Sequence, residues 1–231
     1  MITIENLSKI YNETKVLDIE YLKINKGESI GLVGNNGAGK TTLFSLLLNL
    51  IEPSTGEVKI NEENVHYGDK WKEFTGSFLD ESFLIGYLTA EEYFHFVGDL
   101  HGLSKDSVNE FVSQFNDFFN DEILGKNKYL RDLSKGNQKK VGIIGALIGD
   151  PEIVILDEPF ANLDPSSQFR LKNLIRDFIQ TRDIAIIISS HDLSHTVEIS
   201  DRIIALEKGN IIKDIKTSEQ TLEELTTLFS V

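Results

Sequence analysis

The chain has 231 residues, 40% of them hydrophobic, and no cysteine, which suits one large domain with a real core and leaves disulfides no part in holding it. Its formal charge of −14, from 37 acidic against 23 basic side chains, repels nucleic-acid phosphates, so no nucleic-acid partner is expected. The longest apolar runs, 141–148 and 184–188, are far too short to cross a bilayer, and the start lacks the basic and apolar stretches of a signal peptide. A cytoplasmic protein is expected.

The first thirty residues alternate like paired strands, with Met1–Glu5 and Val16–Ile24 as the clearest runs. A turn at Lys26-Gly27-Glu28 leads into the apolar run Ser29–Val33, which reads as a buried strand. Next comes Gly34-Asn35-Asn36-Gly37-Ala38-Gly39-Lys40-Thr41, and then Thr42–Leu48, with the composition of a helix packed on a sheet. This is GxxxxGK[ST] in the strand–loop–helix setting that the pattern requires. Glycines at 34, 37 and 39 let the backbone form a concave nest whose N–H groups reach phosphate oxygens. The helix start adds unsatisfied N–H groups and a positive dipole end. Lys40 then reaches the β- and γ-phosphates of a nucleoside triphosphate, and the Thr41 hydroxyl can ligate Mg²⁺.

Pro53 and Gly56 punctuate the end of that helix, and Glu57–Ile60 reads as a short strand. From Gly76 to about Arg131 the chain is rich in Phe and helical in period, and no strand is expected there. Thr89-Ala-Glu-Glu92 resembles a capping box opening a helix that runs to about Gly102. Phe111, Phe115, Phe118 and Phe119 recur at helical spacing and read as the core of a small helical subdomain. A helix from Gln138 to Ile148 follows, then a strand at Ile153–Leu156, a helix from Ser166 to Gln180, a strand at Ile184–Ser189 and an amphipathic helix over 218–229. That order predicts a mainly parallel sheet with crossover helices.

Asp157-Glu158 ends the Ile153–Leu156 strand, where the strand ends of an open parallel sheet face a ligand crevice. A carboxylate there can hold Mg²⁺ through water, and Glu158 is placed to polarise an attacking water. His191, after Ile184–Ser190, can donate a hydrogen bond to charge building on a transferred phosphoryl group. His66, His95, His101 and His195 have no metal-ligand spacing. Ser134 and the N–H groups near Gly136 open a helix and form a second anion-receptive site. One triphosphate does not readily fill two such sites on one chain, and a dimer in which each second site closes over the other's nucleotide explains the duplication. Lys135, Lys139 and Lys140 read as a solvated helix face.

Taken in order, GNNGAGKT at 34–41, LSKGN at 133–137, ILDEP at 155–159, ANLD at 161–164 and SSHD at 189–192 resemble the motif set of ATP-binding cassette (ABC) transporter nucleotide-binding subunits over nearly the whole chain. The resemblance implies an α/β P-loop NTPase fold. Its core spans 1–75 and 136–231, with a mainly parallel sheet and N-terminal antiparallel strands, and a helical subdomain is inserted at about 76–135. It implies ATP and Mg²⁺, and it gives roles by position. Tyr11 would stack on adenine, residues 34–42 with Lys40 would hold the phosphates, and Thr41 and Asp157 would serve the metal. Glu158 would be the general base and His191 the switch residue. Ser134 and Gly136 would contact the γ-phosphate of an opposing protomer, with Asn162 and Asp164 at the dimer seam.

Two positions depart from the family pattern. Where a glutamine usually reaches the metal, the chain reads Phe78-Leu-Asp-Glu-Ser-Phe83, so Asp80 or Glu81 must serve; a carboxylate can accept from metal-bound water but cannot donate as an amide does. The 133–137 motif carries Lys135 where glycine is commonest, a lysine familiar among exporter-type members, and Asn137 where glutamine is usual. Leu88–Val97 is similar to exporter-type cassettes. The resemblance thus implies an ATP-hydrolysing subunit powering export, held on the cytoplasmic membrane face by a separate permease and paired with a second nucleotide-binding subunit. Exposed aromatics among Phe74, Phe78, Phe83 and Tyr87 are candidates for the groove that receives the permease. A soluble scaffold-associated ATPase and a nucleotide-gated module with little turnover are the alternatives.

Overall fold

The computed structural model describes residues 1–229. Strands β1 (Ile2–Tyr11) and β2 (Thr14–Ile24) form an antiparallel pair, with Ile2 opposite Ile24 and Leu7 opposite Ile19. After β3 (Ser29–Val33) and α1 (Lys40–Leu47), the chain returns as β4 (Thr55–Ile60) and β5 (Glu63–Asn64), completing an antiparallel sheet in the order β2-β1-β4-β5. Gly56, at φ +76°, lies so close to Asn6 that an added Cβ would fall 2.1 Å from its carbonyl oxygen, so only glycine fits.

The following segment carries β6 (Thr75–Phe78), then α2 (Ala90–Leu100), α3 (Lys105–Ser113), α4 (Asn116–Phe119) and α5 (Lys135–Gly145). The last third alternates β7 (Ile153–Leu156), α6 (Pro165–Thr181), β8 (Ala185–Ser190), α7 (Leu193–Ile199), β9 (Arg202–Glu207), β10 (Asn210–Lys216) and α8 (Thr221–Phe229). The second sheet runs β10-β9-β3-β8-β7-β6. Every pairing in it is parallel except β9 with β10.

The expectation of no strand from Gly76 onward is corrected at its first residues, because β6 pairs in parallel with β7. Thr-Gly-Ser-Phe has no apolar run to announce a strand. It forms at the sheet edge because Gly76 lets the backbone approach α5: a Cβ there would sit 1.7 Å from the Ala146 carbonyl oxygen. The helical region beyond it opens with the expected capping box, Thr89 accepting from the Glu92 N–H while Glu92 accepts from that of Thr89.

Strand β7 is buried on both sides and alternates between two cores. Ile153 and Ile155 pack with Ile2, Ile4, Phe44 and Ile187 toward the antiparallel sheet. Val154 and Leu156 pack with α5, α6 and the phenylalanine cluster on the other face. A strand covered on both faces reads as an unbroken apolar run, as this one does. The Phe stripe fills the second core: Phe115, Phe118 and Phe119 are buried and Phe111 packs against them. Phe115 also meets Phe178 of α6, ring centroids 6.2 Å apart, so the helical region shares apolar contacts with α6. Phe94, 1% exposed and in ring contact with Phe119, anchors that cluster; truncating such a ring to alanine costs about 3–5 kcal/mol.

Parallel pairing sets the site. Strands β3, β6, β7 and β8 all end at one edge of the sheet, so the segments that follow them, 34–41, 79–82, 157–158 and 191–192, emerge side by side.

Candidate nucleotide site

Gly34, Gly37 and Gly39 take φ of +158°, +82° and +110°. The last two lie in the left-handed region that glycine occupies without steric cost. A Cβ at Gly34 would come within 2.4 Å of the Leu206 carbonyl oxygen. The loop closes with Ala38 donating to the Asn35 carbonyl, and α1 begins at Lys40 with Gly39 as a cap that offers no side chain. The N–H groups of that first turn are therefore left for an anion. A cavity of about 380 Å³ opens over the loop, lined by Tyr11, Val16, residues 36–42, Asp157 and Glu158. A larger hollow of about 680 Å³ lies between β6 and α2; it holds none of residues 34–42.

Lys40 is buried, donates to the Gly34 carbonyl at 2.7 Å and stands 3.7 Å from a Glu158 carboxylate oxygen. The Thr41 hydroxyl donates to Asp157 at 2.6 Å. The other Asp157 oxygen accepts from the Ser189 hydroxyl, whose oxygen in turn accepts the Glu158 N–H at 2.9 Å. Glu158 has φ +46°, a conformation that costs a non-glycine residue on the order of 1–3 kcal/mol. Its carboxylate is bonded to His191 Nδ1 at 2.7 Å. A hydroxyl beside a buried carboxylate is the hard-oxygen pairing that suits Mg²⁺, which keeps most of its own waters. Among the described residues no three His, Asp or Glu side chains converge as a complete metal cage.

The structure thus brings Tyr11, the P-loop, Asp157, Glu158 and His191 together. Tyr11 is 46% exposed at the cavity mouth, with Lys9 Nζ 4.8 Å from its ring centroid. Ser134 and Gly136 do not line the cavity. Ser134 caps α5, accepting from the Asn137 N–H, and Gly136 packs against the Asn162 carbonyl. Asp80 is also outside the lining: it accepts from the Ser82 N–H, and the hydrogen bonds from Ser82 hold its carboxyl below the ordinary range. Glu81 turns instead toward Lys139, at 3.7 Å.

Two expectations are corrected. Lys139 and Lys140 are buried, not solvated. Burial pushes both ammonium groups below the usual lysine range, against the pull of Glu81, Glu158 and Asp157 on Lys139 and of Asp164 and Glu122 on Lys140. The run that follows, Val141–Ile148, is apolar throughout, in the helix to Gly145 and in the turn beyond it, which is the mark of a segment buried all round and a signal that places these lysines inside. Of the four candidate aromatics, Phe83 and Tyr87 are exposed, whereas Phe78 is buried and Phe74 partly so. Phe78 fills a notch over Gly142, where a Cβ would fall 2.1 Å from its ring. Ser189, which links the two carboxylate positions, had no role in the sequence reading.

A protein-family model described as ABC transporter matches residues 17–161. The chain belongs to the ABC transporter family, as an ATP-binding subunit. It is 34% identical over 213 residues to an uncharacterised ABC transporter ATP-binding protein of Methanocaldococcus jannaschii, covering 91% of this chain and 76% of that one. It is 32% identical over 230 residues to the bacitracin transport ATP-binding protein of Enterococcus faecalis, covering 95% and 70%. A solved structure of the ATP-binding subunit of an ABC transporter superposes with a TM-score of 0.84 at 25% identity, covering 100% of this chain and 93% of that one. The expected α/β cassette with its antiparallel N-terminal sheet is the fold of this ABC subunit. No described helix of it is long and apolar enough to cross a membrane.

Proposed function

We propose that this ABC subunit hydrolyses ATP to drive export through a separate membrane permease. The observation that carries the reading is Glu158, whose carboxylate is held between His191 and Lys40 at the edge of the P-loop cavity. In this reading Tyr11 stacks on the adenine, the N–H groups of residues 34–42 cradle the phosphates, and Lys40 leaves the Gly34 carbonyl to meet the β- and γ-phosphates. Thr41 and Asp157 would hold Mg²⁺, with Asp80 exchanging its Ser82 bond for the ion's water shell; bound there, the ion neutralises charge on the phosphates. Glu158 accepts a proton from the attacking water, and Lys40 and His191 stabilise the charge of the transition state.

The start of α5, with Ser134 and Gly136, completes the site of an opposing subunit, with Asn162 and Asp164 at the seam. The exposure of Ser134 and its absence from the cavity lining support that assignment. Export is favoured by the segment at 88–97, which is similar to exporter-type cassettes; the bacitracin relative is named for transport without a direction. The subunit then sits on the cytoplasmic face of the membrane, with the exposed rings of Phe83 and Tyr87 toward the permease. The expected arrangement is a helical subdomain at about 76–135 carried on a core of 1–75 and 136–231, with β6 shared by the core sheet.

Two measurements test this. Mg²⁺-dependent ATP turnover should be present in the purified chain and abolished by Lys40→Ala; turnover surviving that change would remove the P-loop chemistry. In mild detergent, the tagged chain should co-purify with a polytopic membrane protein. A soluble partner instead, with no chain in the membrane fraction, would favour a scaffold-associated ATPase.

A further inference from the structure

Lys139 lies on the second turn of α5, with its side chain 5% exposed. Its ammonium donates to the main-chain carbonyl of Glu158 at 2.7 Å. It stands 3.7 Å from Glu81 Oε1, an oxygen buried without any hydrogen-bond partner among the described residues. The Glu158 N–H is taken by Ser189. The Glu158 carbonyl also accepts the Ala161 N–H at 3.2 Å, and side chains from β8 and α5 reach the two ends of this left-handed residue from other elements.

A charge-assisted bond from a buried ammonium is among the stronger holds available to a carbonyl. Here it acts on a residue whose φ of +46° is unfavourable for glutamate, so the surroundings must impose the conformation. That backbone sets where the Glu158 side chain leaves the main chain, and His191 and Lys40 then meet its carboxylate. Glu81 belongs to the short helical turn Glu81–Phe83 just after β6. The same ammonium thus touches the segment beside the exposed Phe83 and the segment that carries the base.

We propose that Lys139 is a positioning residue for hydrolysis: shared between the Glu158 carbonyl and the Glu81 carboxylate, it holds the base toward the nucleotide and ties that hold to the 80–83 turn. The proposal rests on the reading of Glu158 as general base. Displacement of the turn draws Glu81 away from Lys139 and alters the hold on Glu158 without any change in the nucleotide contacts.

The test is ATP turnover of the purified chain together with binding of a fluorescent ATP analogue. Lys139→Met should lower kcat by about ten-fold or more, the loss expected for one bond to a charged donor. Analogue affinity should stay within about three-fold, since the group acts on the chemical step and not on ground-state binding. Lys139→Arg, which keeps a cationic donor, should recover most of the loss. If Lys139→Met does not fold, as judged by thermal melting and gel filtration, Glu81→Gln decides: it should lower kcat measurably with affinity intact. Unchanged kcat in Lys139→Met, or in Glu81→Gln where that variant decides, overturns the proposal while Glu158→Gln is inactive. Full turnover in Glu158→Gln would overturn the base assignment itself and this proposal with it.

Discussion

The Thr41 hydroxyl and the Asp157 carboxylate, 116 residues apart in sequence, are joined by a 2.6 Å hydrogen bond. One end of the bond is fixed by the first turn of α1 and the other by the end of β7. Asp157→Asn keeps an acceptor for one hydroxyl and the same volume, so the fold should survive with little change in melting temperature. Removing the charge should raise the Mg²⁺ concentration needed for half-maximal ATP turnover by about ten-fold or more, the usual effect of losing a supporting group around a metal. An unchanged Mg²⁺ requirement would separate Asp157 from the metal.

Glu158→Gln retains the hydrogen-bonding shape beside His191 and removes the proton acceptor. Turnover should fall by about 100-fold or more, the range for loss of a positioned base, while ATP binding persists. Gel filtration with ATP should then show a dimer that accumulates because the nucleotide is not consumed. Near-normal turnover would remove the base assignment.

Gly142→Ala sets two effects against each other. Alanine in a helix interior gains about 1 kcal/mol over glycine. The added methyl would meet the buried Phe78 ring at 2.1 Å, and overpacking costs about 1–3 kcal/mol. The clash should win, because Phe78 is enclosed and cannot swing into solvent. The urea midpoint should therefore drop, followed through the one tryptophan, Trp71, which is buried with its indole N–H donating to the Val65 and Gly68 carbonyls.

Asp164 caps α6 and accepts from the hydroxyl and N–H groups of Ser166 and Ser167, which hold its carboxyl well below the ordinary carboxylate range. A carboxyl lowered by folding adds stability above its unfolded value, near 4, and loses it as the pH falls from there through the lower folded value. The group is exposed, so solvent screens much of this and the cap itself is the better guide, at about 1 kcal/mol. Asp164→Ala should be less stable than the parent at pH 7, and the gap should narrow once the pH drops below about 4. A gap independent of pH would mean that the charge is not what caps the helix.

Much of the site was legible because its chemistry lies in contiguous stretches. The glycines of 34–39 announce a backbone conformation, and an apolar strand ending in two carboxylates announces an edge. What could not be read depends on contacts distant in sequence. Thr75–Phe78 has no strand pattern of its own and is ordered by β7 and by Gly76 against Ala146. Phe78 is buried because Gly142, distant in sequence, makes room for its ring. Lys139 carries a charge, which alone points outward, and only the apolar run Val141–Ile148 beside it signals a buried helix. Strands β9 and β10 do carry a local signal, the run Ile203–Leu206 and the alternation of Asn210–Lys216 around the turn at Lys208-Gly209.

Helix α5 and the residues just past it meet their neighbours at three points with no spare room. Gly142 receives Phe78, Gly145 receives Tyr93 at 2.7 Å from a built Cβ, and the Ala146 carbonyl presses on Gly76. Close-packed interiors transmit displacement instead of absorbing it. A displacement at the start of α5 would therefore be passed to β6 and α2 through these contacts. The tightness that makes Gly142 intolerant of a single methyl group also makes α5 a stiff link between β6 and α2.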